Sequence, residues 1–392
     1  MLTLRRIDIP RSVLGAATGV FVLTCLVVQA RPQAAAPPTA ASQLVQTGTV
    51  DIAGKSGAEL FKSHCSACHG LDGKGKDASV LGFDVPTPDF TDCQFAPREA
   101  LADWVTVAHE GGPVRGFSRR MPSFGEALGE VGLTKIVTHI KTFCQATNWP
   151  NGELNLPKAL HTEKAFPEDE WVWTTSFGRD PSSVATEFVY EKRFGPRNQI
   201  EVKLPLETAR LGSSWVGGAG DLTLGFKRAF VHSLDRGMIA ALGGEVILPT
   251  GDEAAGLSKG TPVFESFFSF GKLFAGDAFL QFQGGVELPF DTQKAEREGF
   301  WRVALGKTWM ERGGIGRSWT PMVEVLAGRE LEGGATTSWD IVPQMQVTLN
   351  TRQHVRFNLG WRTPLNDRRS RSSSLVMYFL WDWFDGGLRD GW

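Results

Sequence analysis

The chain has 392 residues, which is too long for one small domain and sufficient for two. Its net charge of −2 and its 21% of charged residues are ordinary values, so composition gives no indication of nucleic-acid binding. Cysteines are few, at five, but the 13 tryptophans against only two tyrosines are unusual. Most of the tryptophans lie from residue 171 onward, so the second half of the chain differs from the first in amino-acid composition.

The first 30 residues have the three parts of a secretory signal. A basic start is followed by an apolar run over residues 13–28 and by the small residue Ala30. This run is shorter than the roughly 20 residues that a spanning helix needs, which favours a cleaved signal over an anchor. Lipidation at Cys25 is a weaker alternative. We therefore predict a signal peptide at residues 1–30, a flexible Ala/Pro-rich linker at 31–50 and an exported protein.

The sequence Cys65-Ser66-Ala67-Cys68-His69 has the C-x-x-C-H spacing of a c-type haem attachment site. Two cysteines about one helical turn apart form thioethers to the porphyrin vinyls, and the adjacent histidine is placed to ligate the iron. The alternative is a redox-active cysteine pair that happens to precede a histidine. Export favours haem, because c-type attachment occurs outside the cytoplasm, and we predict one covalent haem c.

The region around this motif resembles a class I cytochrome c. The resemblance covers residues 55–144 and rests on the stretches GAELFKSHCSACHGLDGKGK, RRMPSFGEALGE and IVTHIKTFC. It implies a small all-α domain, which we assign to residues 51–146. In this family the C-terminal helix packs on the N-terminal one.

The resemblance also implies the haem ligands. Cys65 and Cys68 correspond to the thioether anchors and His69 to the proximal iron ligand. Met121, in a Met–Pro turn, corresponds to the distal ligand. A core methionine at this position, with His109 as the distal ligand, is the alternative. Because both axial positions are then filled, we expect the domain to carry electrons and not to act as an enzyme.

Cys93 and Cys144 remain once the haem and the signal peptide are accounted for. Neither has metal-ligand spacing with another cysteine, and export permits a disulfide between them. We predict that this disulfide ties the loop after Pro88 to the last helix; two free thiols are the alternative. The following residues, 147–170, are rich in proline and acidic side chains, which predicts a linker that acts as a tether or a plug.

From residue 171 to 392 the polarity alternates with a period of two. Ile200, Val202 and Leu204, for example, alternate with Glu201 and Lys203. We count about twelve strands, with tryptophans near their ends and an aromatic residue at the end of the chain. This pattern is typical of an outer-membrane barrel. A soluble all-β domain is the alternative, because its strands also alternate.

The strand region resembles the outer-membrane barrel family associated with phenol meta-cleavage pathways, whose members are loosely described as transporters. The resemblance spans much of residues 184–366 and rests on the stretches GAGDLTLGFKRAF, LGGEVILPTGDEAAG and VRFNLGWRTPLND. The whole architecture is similar to the bacterial cytochrome–porins that oxidise iron. Here, however, the haem domain is full-sized and the barrel is smaller.

The sequence therefore predicts two domains, a small all-α cytochrome c domain followed by an all-β antiparallel transmembrane barrel. The predicted function is electron transfer at or across the outer membrane through a His/Met-ligated haem. The alternative is an outer-membrane channel or transporter with the cytochrome as its redox partner or gate. Expected partners are a periplasmic or extracellular redox protein or small electron donor or acceptor, and outer-membrane lipid. The haem domain is expected in the periplasm or inside the barrel lumen.

Overall fold

The computed structural model describes residues 52–94, 96–115, 117–179, 182–211, 213–310, 317–350 and 355–382. The predicted signal peptide at 1–30, the predicted linker at 31–50 and Trp392 lie outside the described residues. The described residues belong to a single structural unit that contains a helical part and a stranded part.

The described residues of the first part form helices. Their bounds are α1 (Gly57–His64), α2 (Ser66–His69), α3 (Ala78–Leu81), α4 (Leu101–Glu110) and α5 (Gly125–Ile140), with short 3-10 turns at Gly112–Arg115 and Gly152–Leu154. A capping box begins α1, since the Glu59 amide donates to the Ser56 hydroxyl and the Ser56 amide donates to the Glu59 carboxylate. None of the described helices is long and apolar enough to cross a membrane.

The two terminal helices of this part, α1 and α5, pack against each other, as the resemblance to class I cytochromes c implies. They approach so closely that a Cβ at Gly57 would lie 2.0 Å from the carbonyl oxygen of Lys135. Phe61 of α1 packs against His139 and Phe143, with ring centroids 5.6 and 5.4 Å away. The core around them is formed by buried residues of α1, α4 and α5, namely Leu60, Val105, Leu128, Leu133, Ile136, Val137 and Ile140.

A disulfide joins Cys93 to Cys144, whose Cα atoms lie 5.3 Å apart. It links the segment before α4 to the chain just after α5 and closes a loop between residues separated by 51 positions. The remaining cysteines among the described residues, Cys65 and Cys68, are free thiols.

The second part is stranded. Its strands are β1 (Glu170–Arg179), β2 (Ser182–Phe194), β3 (Asn198–Leu211), β4 (Ser214–Ala219), β5 (Leu222–Ser233), β6 (Met238–Leu248), β7 (Val263–Leu273), β8 (Ala278–Pro289), β9 (Glu298–Lys307), β10 (Trp309–Met310), β11 (Ser318–Glu330), β12 (Ser338–Asn350), β13 (Val355–Pro364) and β14 (Ser374–Asp382). Twelve of them form a closed antiparallel ring, because β9 pairs with β11 and β14 pairs with β1. The short strands β4 and β10 pair with β3 and β11 outside the ring. The predicted barrel of about twelve strands is confirmed.

The barrel has an apolar outer face and a polar lumen. On β3, Ile200, Val202 and Leu204 are exposed on the outside, whereas Glu201 is buried inside. Successive strand residues point to opposite faces, so this alternation separates the two surfaces. Exposed tryptophans lie near both ends of the barrel: Trp215 and Trp361 near one end, and Trp171, Trp309, Trp319 and Trp381 near the end at which β1 begins. We call this end the near mouth, because β1 begins and β14 ends there, and the opposite end the far mouth.

The connections between strands differ in length at the two mouths. The fully described connections at the near mouth are short, at residues 195–197, 234–237 and 274–277. Those at the far mouth are longer, at residues 249–262, 290–297, 331–337 and 365–373.

Residues 154–169, which we call the plug, lie inside the barrel. Lumen side chains from many strands bind its backbone. Three carbonyls of the plug accept hydrogen bonds: that of Lys158 from Tyr378 and Gln346, that of Pro157 from Gln281, and that of His161 from Arg302. Two amides of the plug donate, that of Glu163 to Gln283 and that of Glu168 to Gln199. Leu154 and Phe166 also pack on the small wall residues Ala229 and Ala241. The segment predicted as a linker therefore makes its contacts with the barrel wall.

Glu324 of β11 holds the middle of the plug. Its carboxylate accepts the backbone amides of Leu160, His161 and Thr162, at 2.7 to 3.2 Å, and also the Thr162 hydroxyl. The side-chain amide of Gln344 is a fifth donor, at 2.6 Å. Glu324 is fully buried, so these donors satisfy a carboxylate that has no access to solvent.

Two acidic residues lie where the helical part meets the near mouth: Glu153 immediately before the plug and Asp169 at its end. Glu153 accepts from the Lys141 ammonium, which follows α5, at 2.9 Å. Asp169 pairs with Arg98 of the helical part and also accepts the backbone amide of Arg193 on β2, at 3.0 Å. A cavity of about 440 Å³ remains between α4 and the strand ends of this mouth. The helical part therefore lies over the near mouth.

We expect the substitution Glu324→Ala to loosen the plug. It removes the shared acceptor of five donors; the Leu160 amide keeps the Gln344 side-chain oxygen as a second acceptor, and each donor left unsatisfied costs about 1–3 kcal/mol. The expected result is a higher ion conductance of the purified protein in planar bilayers. Glu265→Ala is the matched control, because Glu265 is another largely buried lumen carboxylate and makes none of these bonds to the plug. Equal conductance of the two variants would contradict this role of Glu324.

The disulfide is expected to stabilise the helical part. For a loop of this length the chain-entropy relation gives about 4 kcal/mol. The double substitution Cys93→Ser/Cys144→Ser should lower the free energy of unfolding by this amount, measured by guanidinium titration followed through the haem absorbance. Ala146→Ser, at an exposed neighbouring position, serves as the control. An unchanged unfolding midpoint in the double variant would contradict a stabilising role of the disulfide.

Candidate functional site

The C-x-x-C-H motif lies where α1 gives way to α2. The Cys65 amide donates to the Phe61 carbonyl at the end of α1, and the Cys68 amide donates to the Cys65 carbonyl at 3.2 Å. The two thiols are therefore one turn apart, and both are free and half-buried. This is the placement that two thioether bonds to one porphyrin require.

A glycine-rich loop fixes the motif from its C-terminal side. The Gly75 and Lys76 amides donate to the His69 and Cys68 carbonyls, both at 2.9 Å. Gly73 adopts a φ of +76°, and a Cβ there would lie 2.7 Å from the Phe143 ring. Only glycine combines this left-handed backbone with so close an approach to the core.

His69 is held as a neutral imidazole. Its ring stacks on Phe90, with centroids 4.8 Å apart and planes 24° apart, and Phe90 in turn packs against Trp104 at 5.4 Å. Burial lowers the pKa of His69 to about 4, so the ring keeps a free nitrogen lone pair at neutral pH. Its buried Nδ1 has no hydrogen-bond partner among the described residues.

The residues present fit a covalent haem. Burial, and secondarily Cys68, raises the pKa of Cys65 to about 11, so its thiol is neutral. Two thiols with no disulfide between them and an adjacent neutral histidine are the donor set that C-x-x-C-H attachment uses.

Met121 lies in the loop between the 3-10 turn Gly112–Arg115 and α5. Its amide donates to the Ser118 carbonyl, and its carbonyl accepts the Gly112 amide at 3.1 Å. A Cβ at Gly112 would lie 2.3 Å from the Ser118 carbonyl oxygen, so this loop packs closely on the chain that follows α4. The Met121 residue is half-buried.

His109, the alternative distal ligand, and His139, a further histidine of the helical part, have other surroundings. The Nδ1 atom of His109 lies 2.9 Å from the Glu110 carboxylate, and its ring is so close to Gly125 that a Cβ there would meet it at 2.6 Å. His139 packs edge-on against Phe61 and Phe143, with centroids 5.6 and 5.0 Å away. Both histidine side chains therefore have packing or polar partners within the helical part of the chain.

Two features of the site were not apparent from the sequence. Phe90 and Trp104, which pack in a row beside His69, carry no motif or periodicity that would single them out. Arg115 is buried and paired with Asp103, although an arginine is ordinarily exposed to solvent. The only local signal for this pair is an opposite charge twelve residues earlier in the sequence, which is weak.

Residues 53–140 match the family model described as "Cytochrome C oxidase, cbb3-type, subunit III". The barrel is similar to solved outer-membrane proteins at low identity. The COG4313 outer membrane channel from Pseudomonas putida F1 is 12% identical, with 58% of this chain and 99% of that chain covered and a TM-score of 0.40. The NanC porin is 7% identical, with 54% and 98% covered and a TM-score of 0.38.

The predicted cytochrome domain is thus confirmed by the family match, and the predicted barrel by the closed ring of strands. This chain carries a c-type cytochrome domain over residues 53–140, followed by a closed twelve-strand antiparallel β-barrel.

Proposed function

We propose that this protein is a monohaem electron carrier fixed at the periplasmic side of the outer membrane. The observation that carries the proposal is the position of a c-type cytochrome domain over one mouth of a barrel whose outer face is apolar. The barrel serves as the anchor, and the haem domain exchanges electrons with a soluble redox partner or a small donor or acceptor.

In this proposal Cys65 and Cys68 hold the haem covalently, while His69 and Met121 ligate the iron. When bound, the haem supplies a one-electron couple. The packing of His69 on Phe90 and the bonds of the glycine loop keep the ligand in one orientation. With His69 and Met121 both serving as iron ligands, the haem would carry electrons and would not bind a substrate.

The surface of the barrel supports a membrane location. A soluble barrel buries apolar side chains inside, whereas here they face outward and the lumen carries charges. The exposed tryptophans at the near mouth fit the aromatic girdle of a membrane interface. Closed barrels with this polarity are the stranded structures that satisfy every backbone group in lipid.

The lengths of the connections support a periplasmic haem domain. Outer-membrane barrels have short periplasmic turns and longer extracellular loops. In this barrel the short connections lie at the near mouth, where the cytochrome domain is tied by Glu153 and Asp169. The near mouth therefore faces the periplasm in our proposal.

Electron exchange at the membrane is better supported than conduction across it. The hydrocarbon layer is about 30 Å thick, and a single haem outside the lumen cannot bridge that distance. The lumen itself contains the plug, whose contacts reach β3, β8, β9, β11, β12 and β14. The same plug also argues against the alternative of an open channel for small molecules.

The Met121→Ala substitution tests the ligand assignment. Loss of the thioether should remove the methionine-to-iron charge-transfer band and lower the reduction potential by on the order of 0.1 V, because axial ligands are a main determinant of haem potential. Met345→Ala, on the outer face of β12, is the matched control and should change neither. An unchanged spectrum and potential in Met121→Ala would exclude Met121 as the ligand.

The side of the membrane can be tested in whole cells with a membrane-impermeant reductant. We expect no reduction of the haem while the outer membrane is intact and full reduction after it is permeabilised, because the domain faces the periplasm. A variant with Met121→Ala gives the same accessibility pattern if only its ligation is altered. Rapid reduction in intact cells would show that the haem is external or that electrons cross the barrel.

A further inference from the structure

Three glutamates converge inside the barrel where the plug meets the wall. Glu163 belongs to the plug, Glu191 to β2 and Glu201 to β3. One carboxylate oxygen from each lies within 4.8 Å of the other two, and all three residues form a buried group. The group is separate from the haem ligands and from the Glu324 carboxylate that holds the middle of the plug.

Glu191 is the unusual member of this group. The residue is 1% exposed, and neither of its carboxylate oxygens has a hydrogen-bond partner among the described residues. Burying a carboxylate with no donor is costly, and such a group normally has a cation or a proton beside it. This observation is independent of the clustering and indicates that Glu191 holds a cation or a proton.

The surrounding charges do not balance. Glu163 pairs with Lys158 and Lys227, at 3.3 and 2.7 Å. The other ion pairs of this part of the lumen join Lys203 to Glu201 and Glu245, and Lys164 to Glu168 and Glu170. With Glu191 included, six glutamates face four lysines, which leaves an excess of two negative charges.

The donor set selects the kind of cation. All three ligands are carboxylate oxygens, which suit hard cations, whereas zinc sites use nitrogen and sulfur donors as well. Calcium binds oxygens at about 2.3–2.6 Å, so ligands on opposite sides of it lie roughly 5 Å apart. Magnesium, with ligands at about 2.0–2.1 Å, demands a near-ideal octahedral arrangement and tolerates an irregular group of side chains less well than calcium does.

We propose that Glu163, Glu191 and Glu201 form a binding site for one divalent cation of the calcium type. Its two charges neutralise the excess in the lumen, and its ligands come from the plug and from two strands of the wall. The cation therefore ties the plug to β2 and β3, on strands other than the one that carries Glu324. This role concerns the barrel and does not depend on the haem.

The proposal is tested on the full-length protein with its haem, purified in detergent and freed of metals with a chelator. Calorimetric titration with calcium chloride should give one bound calcium per chain. Glu191→Gln and, separately, Glu163→Gln should weaken binding at least tenfold. Glu207→Gln is the matched control, because Glu207 is an exposed residue on the same strand as Glu201 and should leave binding unchanged.

A second readout is thermal unfolding of the barrel, which calcium should shift upward in the wild type but not in Glu191→Gln, since a ligand stabilises the state that binds it. No calcium binding by the wild type, or equal affinity in wild type and both variants, overturns the proposal and leaves a shared proton as the partner of Glu191. Should Glu191→Gln fail to fold, Glu163→Gln decides, because Glu163 lies outside the strands.

Discussion

The rest of the structure depends on the hydrogen bonds that the plug makes with the polar side chains of the barrel lumen. A barrel with an apolar outside turns its charged and amide side chains inward, and these need partners. The plug supplies them with its backbone, most densely at Glu324, where three consecutive amides meet one carboxylate. Because the plug continues directly into the helical part through the turn Gly152–Leu154, filling the lumen also fixes the cytochrome domain over the near mouth. The place of the cytochrome domain thus follows from how the polar groups of the barrel interior are satisfied.

Local patterns in the sequence were sufficient to predict the two domains. The C-x-x-C-H spacing depends on one helical turn, and the strand alternation depends on a period of two; both can be read in a short window. The plug could not be identified in this way. Tyr378 donates to the Lys158 carbonyl across 220 residues, and Leu160 meets Glu324 across 164. Prolines and acidic residues in 147–170 indicated only that no regular element forms there, which is why a tether and a plug remained equally open.

The same distinction between local patterns and long-range contacts applies to the candidate haem site. Cys65, Cys68 and His69 are contiguous, so their relation is set by one turn of helix. The surroundings that tune His69 come from distant segments, and Phe90 and Trp104 have no signature in the sequence. Arg115 shows that charge alone does not predict exposure. An arginine is normally expected in solvent, but this one is buried because it pairs with Asp103. The same holds for the lumen glutamates. The alternation of polarity predicts that they face inward, but the register of the strands decides which of them has no lysine as an ion-pair partner.

In the proposed function, a single haem beside a filled lumen limits the routes by which an electron can pass. Tunnelling across the hydrocarbon layer needs a chain of closely spaced redox centres, and the described part of the chain offers one attachment motif outside the barrel. The plug bonds to the wall through several buried carboxylates and amides, so admitting a redox partner into the lumen would first break those contacts. Exchange at the exposed surface of the cytochrome domain requires no such rearrangement. A rigid attachment at the mouth then has a clear physical advantage over a flexible tether, because it presents the haem in one orientation and reduces the ordering cost that each encounter with a partner must overcome.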